Sequence, residues 1–233
     1  MTFRILLVIS GIFLALGASG QLRLRDTTKT THRNRFMPTG MRVGVDAVSI
    51  IKDRRQENFS GWEASADVET HRYLVAADYG KWGRIFSTDS VSYRNDGTYW
   101  RAGVDANFLT HDPERNVFFI GFRYARARYD ESMSMTVEDP LWGFVEREYV
   151  NSDMSARWFE LTTGLKVKVW KLIWLGYTAR FKFGLKDQEE FEMLSHDIPG
   201  YGNTNKETYW GFNYLLMIRI PLGPTRAILP AKK

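Results

Sequence analysis

From Met41 to Leu222, apolar and polar residues alternate along much of the chain, so that every second side chain belongs to the same class. A period of two predicts β-strands, because successive side chains of a strand point to opposite faces. Eight such segments are present, and they begin at Met41, Trp62, Tyr73, Trp100, Phe118, Phe159, Leu175 and Trp210. In the first segment, the pattern assigns Ala47 and Ile51 to the apolar face. In the seventh, it assigns Leu185 to the apolar face and Gly184 to the polar face.

The connections between these predicted strands alternate in length. The long ones cover residues 86–97, 130–157 and 187–207, and the short ones cover residues 71–72, 110–116 and 171–172. Outer-membrane barrels have long loops at one end and tight periplasmic turns at the other. The sequence therefore predicts an all-β protein, an antiparallel up-and-down transmembrane β-barrel of about eight strands.

The polar face of the predicted strands is rich in glycine and in charge. Its glycines are Gly44, Gly103, Gly121, Gly164, Gly176, Gly184 and Gly211. Strand glycines fit the interior of a narrow barrel, where small and large side chains must alternate to fill the space. The polar face is therefore predicted to line the lumen and the apolar face to contact lipid. A lumen charge network is predicted to comprise Arg101, Asp105, Arg123, Glu160, Lys166, Arg180 and Arg219; Lys168 and Lys182 lie on the same face.

The N-terminus has the features of a cleaved secretory signal. Arg4 precedes an apolar run over residues 5–16, and small residues follow at positions 18–20. We therefore divide the chain into four predicted parts. These are a signal peptide (1–20), a basic periplasmic arm (21–40), an outer-membrane barrel (41–222) and a periplasmic C-terminal tail (223–233).

The strand sequences resemble those of the small eight-stranded outer-membrane barrels of Gram-negative bacteria, most closely an uncharacterised domain family among them. The resemblance covers about residues 41–222 and is carried by GWEASADVE, YLVAADYG and the last strand, YWGFNYLLMIRIPL. It implies location in the cell outer membrane and names no reaction. The chain departs from many such barrels because it continues beyond the last strand to Lys233.

The amino-acid composition limits the catalytic and metal sites that the chain could form. The 233 residues include no cysteine, which excludes disulfides, thiol catalysis and cysteine-ligated zinc. Ser195, His196 and Asp197 are consecutive, and neighbours in an extended chain point to opposite sides, which argues against a catalytic triad. His71 and His111, with Asp112, are a weak candidate for a metal site in the short turns. We expect no enzyme activity, no cofactor and no bound metal.

Two segments are predicted to contact partners. The basic arm carries Arg23, Arg25, Lys29, Arg33 and Arg35 against a single acid, Asp26. The longest predicted loop carries exposed apolar residues, Leu141, Trp142 and Phe144, which are typical of an interface.

The expected function is therefore that of a non-catalytic structural or accessory subunit in a larger envelope assembly, for example one for membrane-protein insertion or export. Expected partners are outer-membrane lipid and another barrel or a lipoprotein, but no nucleic acid. Both termini are expected in the periplasm. An outer-leaflet enzyme that acts on lipid acyl chains and a small pore are the alternatives.

Overall fold

A computed structural model describes residues 37–70, 72–186, 195–204 and 208–222. The elements in chain order are β1 (Gly40–Asp46), α1 (Ala47–Arg55), β2 (Phe59–Glu69), β3 (Tyr73–Ser87), β4 (Val91–Asn107), β5 (Val117–Asp139), β6 (Gly143–Trp170), β7 (Ile173–Lys186), β8 (Asp197–Ile198), β9 (Gly202–Asn203) and β10 (Tyr209–Pro221).

Eight of the strands form one closed antiparallel barrel in the order β1-β10-β7-β6-β5-β4-β3-β2. The first and last strands close the ring, because β1 pairs with both β2 and β10. Gly40 lies opposite Pro221, so the barrel begins and ends at the same rim. The ends of β2, β4 and β6 and the starts of β3, β5 and β7 lie at this rim, which we call the short-turn rim. The predicted all-β, eight-stranded antiparallel barrel is confirmed.

The outer surface carries a band of exposed apolar side chains, the apolar belt. Its members include Val43, Val45, Trp62, Val75, Tyr79, Trp100, Val104, Phe118, Ile120, Phe122, Phe159, Leu161, Leu175, Trp210, Phe212, Leu216, Ile218 and Ile220. On β6, the belt runs from Phe159 to Val169. At ~3.3 Å per residue and a tilt of ~40°, this stretch spans about 25 Å along the barrel axis.

The lumen-facing glycines allow the strands to approach each other closely. A Cβ atom added to Gly103 would lie 2.1 Å from the backbone oxygen of Phe122, and one added to Gly164 would lie 2.1 Å from that of Tyr177. A larger residue at either position would therefore push neighbouring strands apart. This explains why small residues alternate with charged ones on the inner face of so narrow a barrel.

Two of the predicted long loops are in fact paired strands. Residues 86–97 form a β3–β4 hairpin that turns at 88–90, and residues 130–157 form a β5–β6 hairpin that turns at 140–142. Above the belt the pattern reverses, because the outer face of these hairpins is largely polar whereas their inner face carries buried apolar side chains such as Tyr99, Tyr129 and Met154. Together they form an extended wall, residues 81–99 and 125–158, which continues the barrel beyond the belt on one side.

The first strand is shorter than predicted, and the assignment of Ala47 and Ile51 to its apolar face is wrong. Asp46 ends β1 and caps α1, because its side chain accepts the Ser49 N–H at 3.2 Å. Aspartate is among the preferred N-cap residues, and it starts the helix here. Within the described ranges, no helix is long and apolar enough to cross a membrane.

The alternation of β7 changes phase at Gly184, so the predicted faces of Gly184 and Leu185 are wrong. Gly184 has a φ of +64° at an irregularity in the β6–β7 pairing, and a Cβ on it would contact the outward-facing Phe159. Leu185 instead packs on the interior cluster of the extended wall. An extra residue in a strand shifts every later side chain to the other face, and glycine accepts the positive φ that this requires.

Candidate functional site

The middle of the lumen is filled by a group of buried charged residues, which we call the central cluster. Its members are Glu63, Asp78, Arg101, Asp105, Arg123, Glu160 and Arg180. They come from six strands, β2 to β7, and meet because alternation points all of them inward. Each of them is at most 3% exposed, so their charges are balanced by one another rather than by bulk water.

Arg180 is the residue that connects most of the central cluster. Its guanidinium contacts Glu160 at 3.1 Å, Asp78 at 3.0 Å and Glu63 at 3.4 Å. Its Nε also donates to the side-chain oxygen of Asn213 at 2.7 Å. One side chain of β7 thus joins β6 to the opposite wall of the barrel, formed by β2 and β3.

Arg101 and Arg123 complete the pairing. Arg101 contacts Glu63 at 2.8 Å and Glu160 at 3.0 Å, and Arg123 contacts Asp105 at 2.8 Å and also pairs with Asp78. Because each of these carboxylates has a guanidinium partner, the cluster is a closed set of ion pairs. None of its carboxylates is poised as a general base.

A second group, the lower cluster, lies nearer the short-turn rim and comprises Arg42, Asp67, Glu69, Lys166 and Arg219. Asp67 contacts Arg42 at 2.8 Å and Lys166 at 2.7 Å, and Glu69 contacts Arg219 at 3.2 Å. Two groups of buried apolar side chains lie at the same end of the lumen. One comprises Leu74, Val117 and Phe119, and the other comprises Trp174, Leu215 and Met217. The lower cluster therefore fills the lumen with both charge and hydrocarbon.

The structure distributes the seven predicted lumen residues between the two clusters. Arg101, Asp105, Arg123, Glu160 and Arg180 meet in the central cluster, whereas Lys166 and Arg219 belong to the lower cluster. The prediction missed Arg42, Glu63, Asp67 and Asp78, all of which take part in the pairing. The alternation could have identified these four residues, because it places them on the same polar face as the predicted ones.

Above the central cluster, residues 195–204 fold over the mouth of the lumen, and we call this segment the cap. It contains the small hairpin β8–β9. Ile198 and Tyr201 are fully buried against the extended wall, where the Tyr201 ring lies 5.6 Å from that of Trp158. A long connection that was predicted as an outer loop is therefore partly an interior element.

Polar contacts fasten the cap to the barrel. The backbone oxygen of Gly200 accepts from Arg101 at 3.0 Å and from Lys182 at 2.8 Å. Asp197 forms an ion pair with Arg84 of the extended wall at 2.8 Å. The cap is thus joined both to the charges below it and to the wall beside it.

Ser195, His196 and Asp197 do not converge. The Ser195 hydroxyl lies 2.7 Å from that of Tyr129 and donates to Glu131 at 3.0 Å, whereas Asp197 binds Arg84. Tyr93, which lies above the belt, also donates a hydrogen bond to Glu131. Burial and the nearby Glu131 carboxylate raise the pKa of Tyr93 well above its usual range. These groups form a structural hydrogen-bond network rather than a catalytic triad.

The other predicted sites are placed as follows. Leu141, Trp142 and Phe144 lie at the tip of the β5–β6 hairpin and are 87%, 80% and 77% exposed. His111 lies beside Thr110, whereas His71 and residues 21–36 of the basic arm, which include all five of its basic residues, are outside the described residues. In the part of the chain that the structure describes, no three potential ligands group as a metal site would require.

Comparisons with known proteins place this barrel in a family. The profile of DUF6048, a domain of unknown function, matches residues 1–224. The chain belongs to the DUF6048 family. The matched residues include every strand of the barrel, from β1 to β10. The crystal structure of Acinetobacter baumannii CarO is similar, with a TM-score of 0.40 and 11% identity over 81% of this chain and 100% of that chain. No curated protein matches the chain.

Proposed function

We propose that this protein is a closed outer-membrane barrel that serves as a non-catalytic structural or accessory subunit of an envelope assembly. The observation that carries the proposal is the filled lumen, which is occupied from the short-turn rim upward by the lower cluster, the central cluster and the cap. A barrel filled in this way offers its outer wall and its hairpins, rather than its interior, to other molecules.

The distribution of side chains supports the membrane location. The outside is apolar over about 25 Å of height, close to the apolar band of outer-membrane barrels, while the inside is charged. Water would not stabilise so many exposed apolar residues, whereas lipid does. With the short-turn rim in the periplasm, as in other barrels of this kind, both ends of the barrel segment would face the periplasm.

The projecting hairpin supports a role in partner binding. The extended wall holds the Leu141, Trp142 and Phe144 tip beyond the belt, where exposed apolar side chains are typical of interfaces. Another envelope protein, a barrel or a lipoprotein, is the proposed partner. The basic arm, with Arg23 and Arg35 near its ends, remains a second predicted contact on the periplasmic side.

We expect the purified protein to show no steady ion conductance in a planar lipid bilayer, because Arg180 and its partners obstruct the lumen at its centre. Deleting residues 195–204 should leave the membrane non-conducting as well, since the central cluster lies below the cap. A porin added to the same bilayer is the positive control. Discrete conductance steps from the wild-type barrel would establish the pore alternative instead.

A photoreactive amino acid at position 142, in place of Trp142, should crosslink to a discrete partner protein in living cells. The same residue in place of Phe86, an exposed apolar side chain on the β3–β4 hairpin, is the matched control. Replacing Leu141 and Phe144 with serine should abolish the crosslink from position 142, because the apolar contact is lost. Identical crosslinks from positions 86 and 142 would argue against an interface at the tip.

A further inference from the structure

Four basic side chains lie on the outer surface just above the apolar belt, and we call them the basic row: Arg126, Arg128, Arg157 and Lys186. Pairing places Arg126 directly opposite Arg157, and Arg157 directly opposite Lys186, on three neighbouring strands. Arg128 lies two residues above Arg126 and therefore on the same face. All four are exposed. Positive charges in direct opposition across a sheet repel each other unless an anion lies between them.

The described acidic residues nearest to the row make their contacts elsewhere. No carboxylate among the described residues forms an ion pair with any member of the row. On the same outer face, Asp130 lies two residues above Arg128, but its carboxylate accepts the Asp153 N–H at 2.8 Å. Asp96, the next acid on β4, pairs with Lys81 at 3.1 Å. Among the described residues the row therefore has no ion-pair partner, and its positive charge can attract an anion from outside the chain.

The surface at this point is concave as well as basic. A groove of about 180 Å³ is lined by Thr98, Trp100, Arg126, Ala127 and Arg128. Trp100 forms its apolar side and lies 5.6 Å, ring to ring, from Tyr124 of the belt. Tryptophan and tyrosine are enriched at the boundary between the apolar and polar zones of a membrane. The groove thus has hydrocarbon on one side and two guanidinium groups on the other.

We propose that this groove binds the phosphate-bearing headgroup of an anionic lipid in the surrounding leaflet. Paired guanidinium groups match the geometry of phosphate oxygens, and each arginine can donate two parallel hydrogen bonds. The acyl chains of the same molecule would lie along the belt below Trp100. This inference rests on the membrane location in the proposed function. It adds a specific lipid class to the contacts of the barrel.

The test uses the full mature chain in nanodiscs of phosphatidylcholine that contain a minor fraction of phosphatidic acid. Native mass spectrometry counts the lipids that the protein retains after release from the disc. We expect the wild type to retain phosphatidic acid over phosphatidylcholine by about tenfold relative to their ratio in the disc, and Arg126→Gln with Arg128→Gln to remove most of this preference. Arg126→Lys with Arg128→Lys should retain part of this preference, because lysine keeps the positive charge but lacks the planar guanidinium that donates two parallel hydrogen bonds.

Arg54→Gln with Arg55→Gln is the matched control, since it removes two exposed arginines at the same end of the barrel from α1. An equal loss of preference in the control and in the Arg126/Arg128 variant would overturn the proposal, because general surface charge would then explain it. Displacement of the lipid by inorganic phosphate would also overturn it, in favour of a soluble anion. If the double variant fails to fold, Arg157→Gln replaces it and must lower the preference. A wild-type barrel that is non-conducting but shows no preference for phosphatidic acid would contradict this inference and leave the proposed function intact.

Discussion

Replacing Arg180 with leucine should lower the free energy of unfolding of the barrel by ~3–5 kcal/mol, the cost of removing one partner from a buried ion pair. Arg180 contacts Glu63, Asp78 and Glu160, so its loss leaves three buried carboxylates with fewer cationic neighbours. Urea unfolding in lipid vesicles, followed by tryptophan fluorescence, measures the change. The same variant should lose its heat-modifiable gel mobility at a lower temperature than the wild type.

Arg147→Leu is the control for this substitution, because Arg147 is exposed on the β5–β6 hairpin. It should change the stability by no more than ~0.5 kcal/mol, as surface substitutions usually do. Glu160→Leu should be as damaging as Arg180→Leu, and the double variant less damaging than the sum of the two, because the pair is then removed together. Equal effects of Arg147→Leu and Arg180→Leu would mean that the lumen is solvated.

Replacing Trp158 with alanine should destabilise the extended wall by ~3–5 kcal/mol and release the cap. Trp158 is fully buried, packs against Tyr201 and donates from its indole nitrogen to Glu160 at 2.8 Å. The variant therefore loses both a large apolar contact and a hydrogen bond to the central cluster. Protease added outside intact cells should then cut within residues 187–208, while the barrel remains resistant.

Trp142→Ala provides the comparison, since this tryptophan is 80% exposed at the hairpin tip. It should leave the protease pattern of the cap unchanged. A cap that is cut equally fast in the wild type and in Trp158→Ala would show that the contact with Tyr201 does not hold it in place.

The sequence predicted the faces of the barrel strands well wherever one face meets hydrocarbon and the other meets charge. It failed above the belt, at residues 86–97 and 130–157, where the outer face is largely polar and apolar side chains such as Tyr93, Tyr129 and Met154 lie on the inner face, the reverse of the pattern within the belt. It also failed at Gly184, where an inserted residue shifts the phase, and at Ala47, where a capping aspartate begins a helix. Each failure has a local cause, and none of them changes the strand order.

The partners within the central cluster could not be predicted from alternation. Alternation places Arg180 and Glu63 on the inner face, but their contact joins residues 117 positions apart across the lumen. Such contacts depend on closure and register, which are set by all eight strands together. The cap was missed because it is short, and its buried apolar residues, Ile198 and Tyr201, have no periodic neighbours in the sequence.

β1, one of the two strands that close the ring, is the shortest strand of the barrel. β1 has 7 residues, whereas β6 has 28. The two pairings of β1, with β10 and with β2, are the shortest in the barrel, so the edges of β1 require the least energy to open. Backbone amides of β1 should exchange with deuterated water before those of β6. During insertion, β1 would be the last strand to be sealed, which makes the β1–β10 seam the natural position for an assembly factor to hold the sheet open.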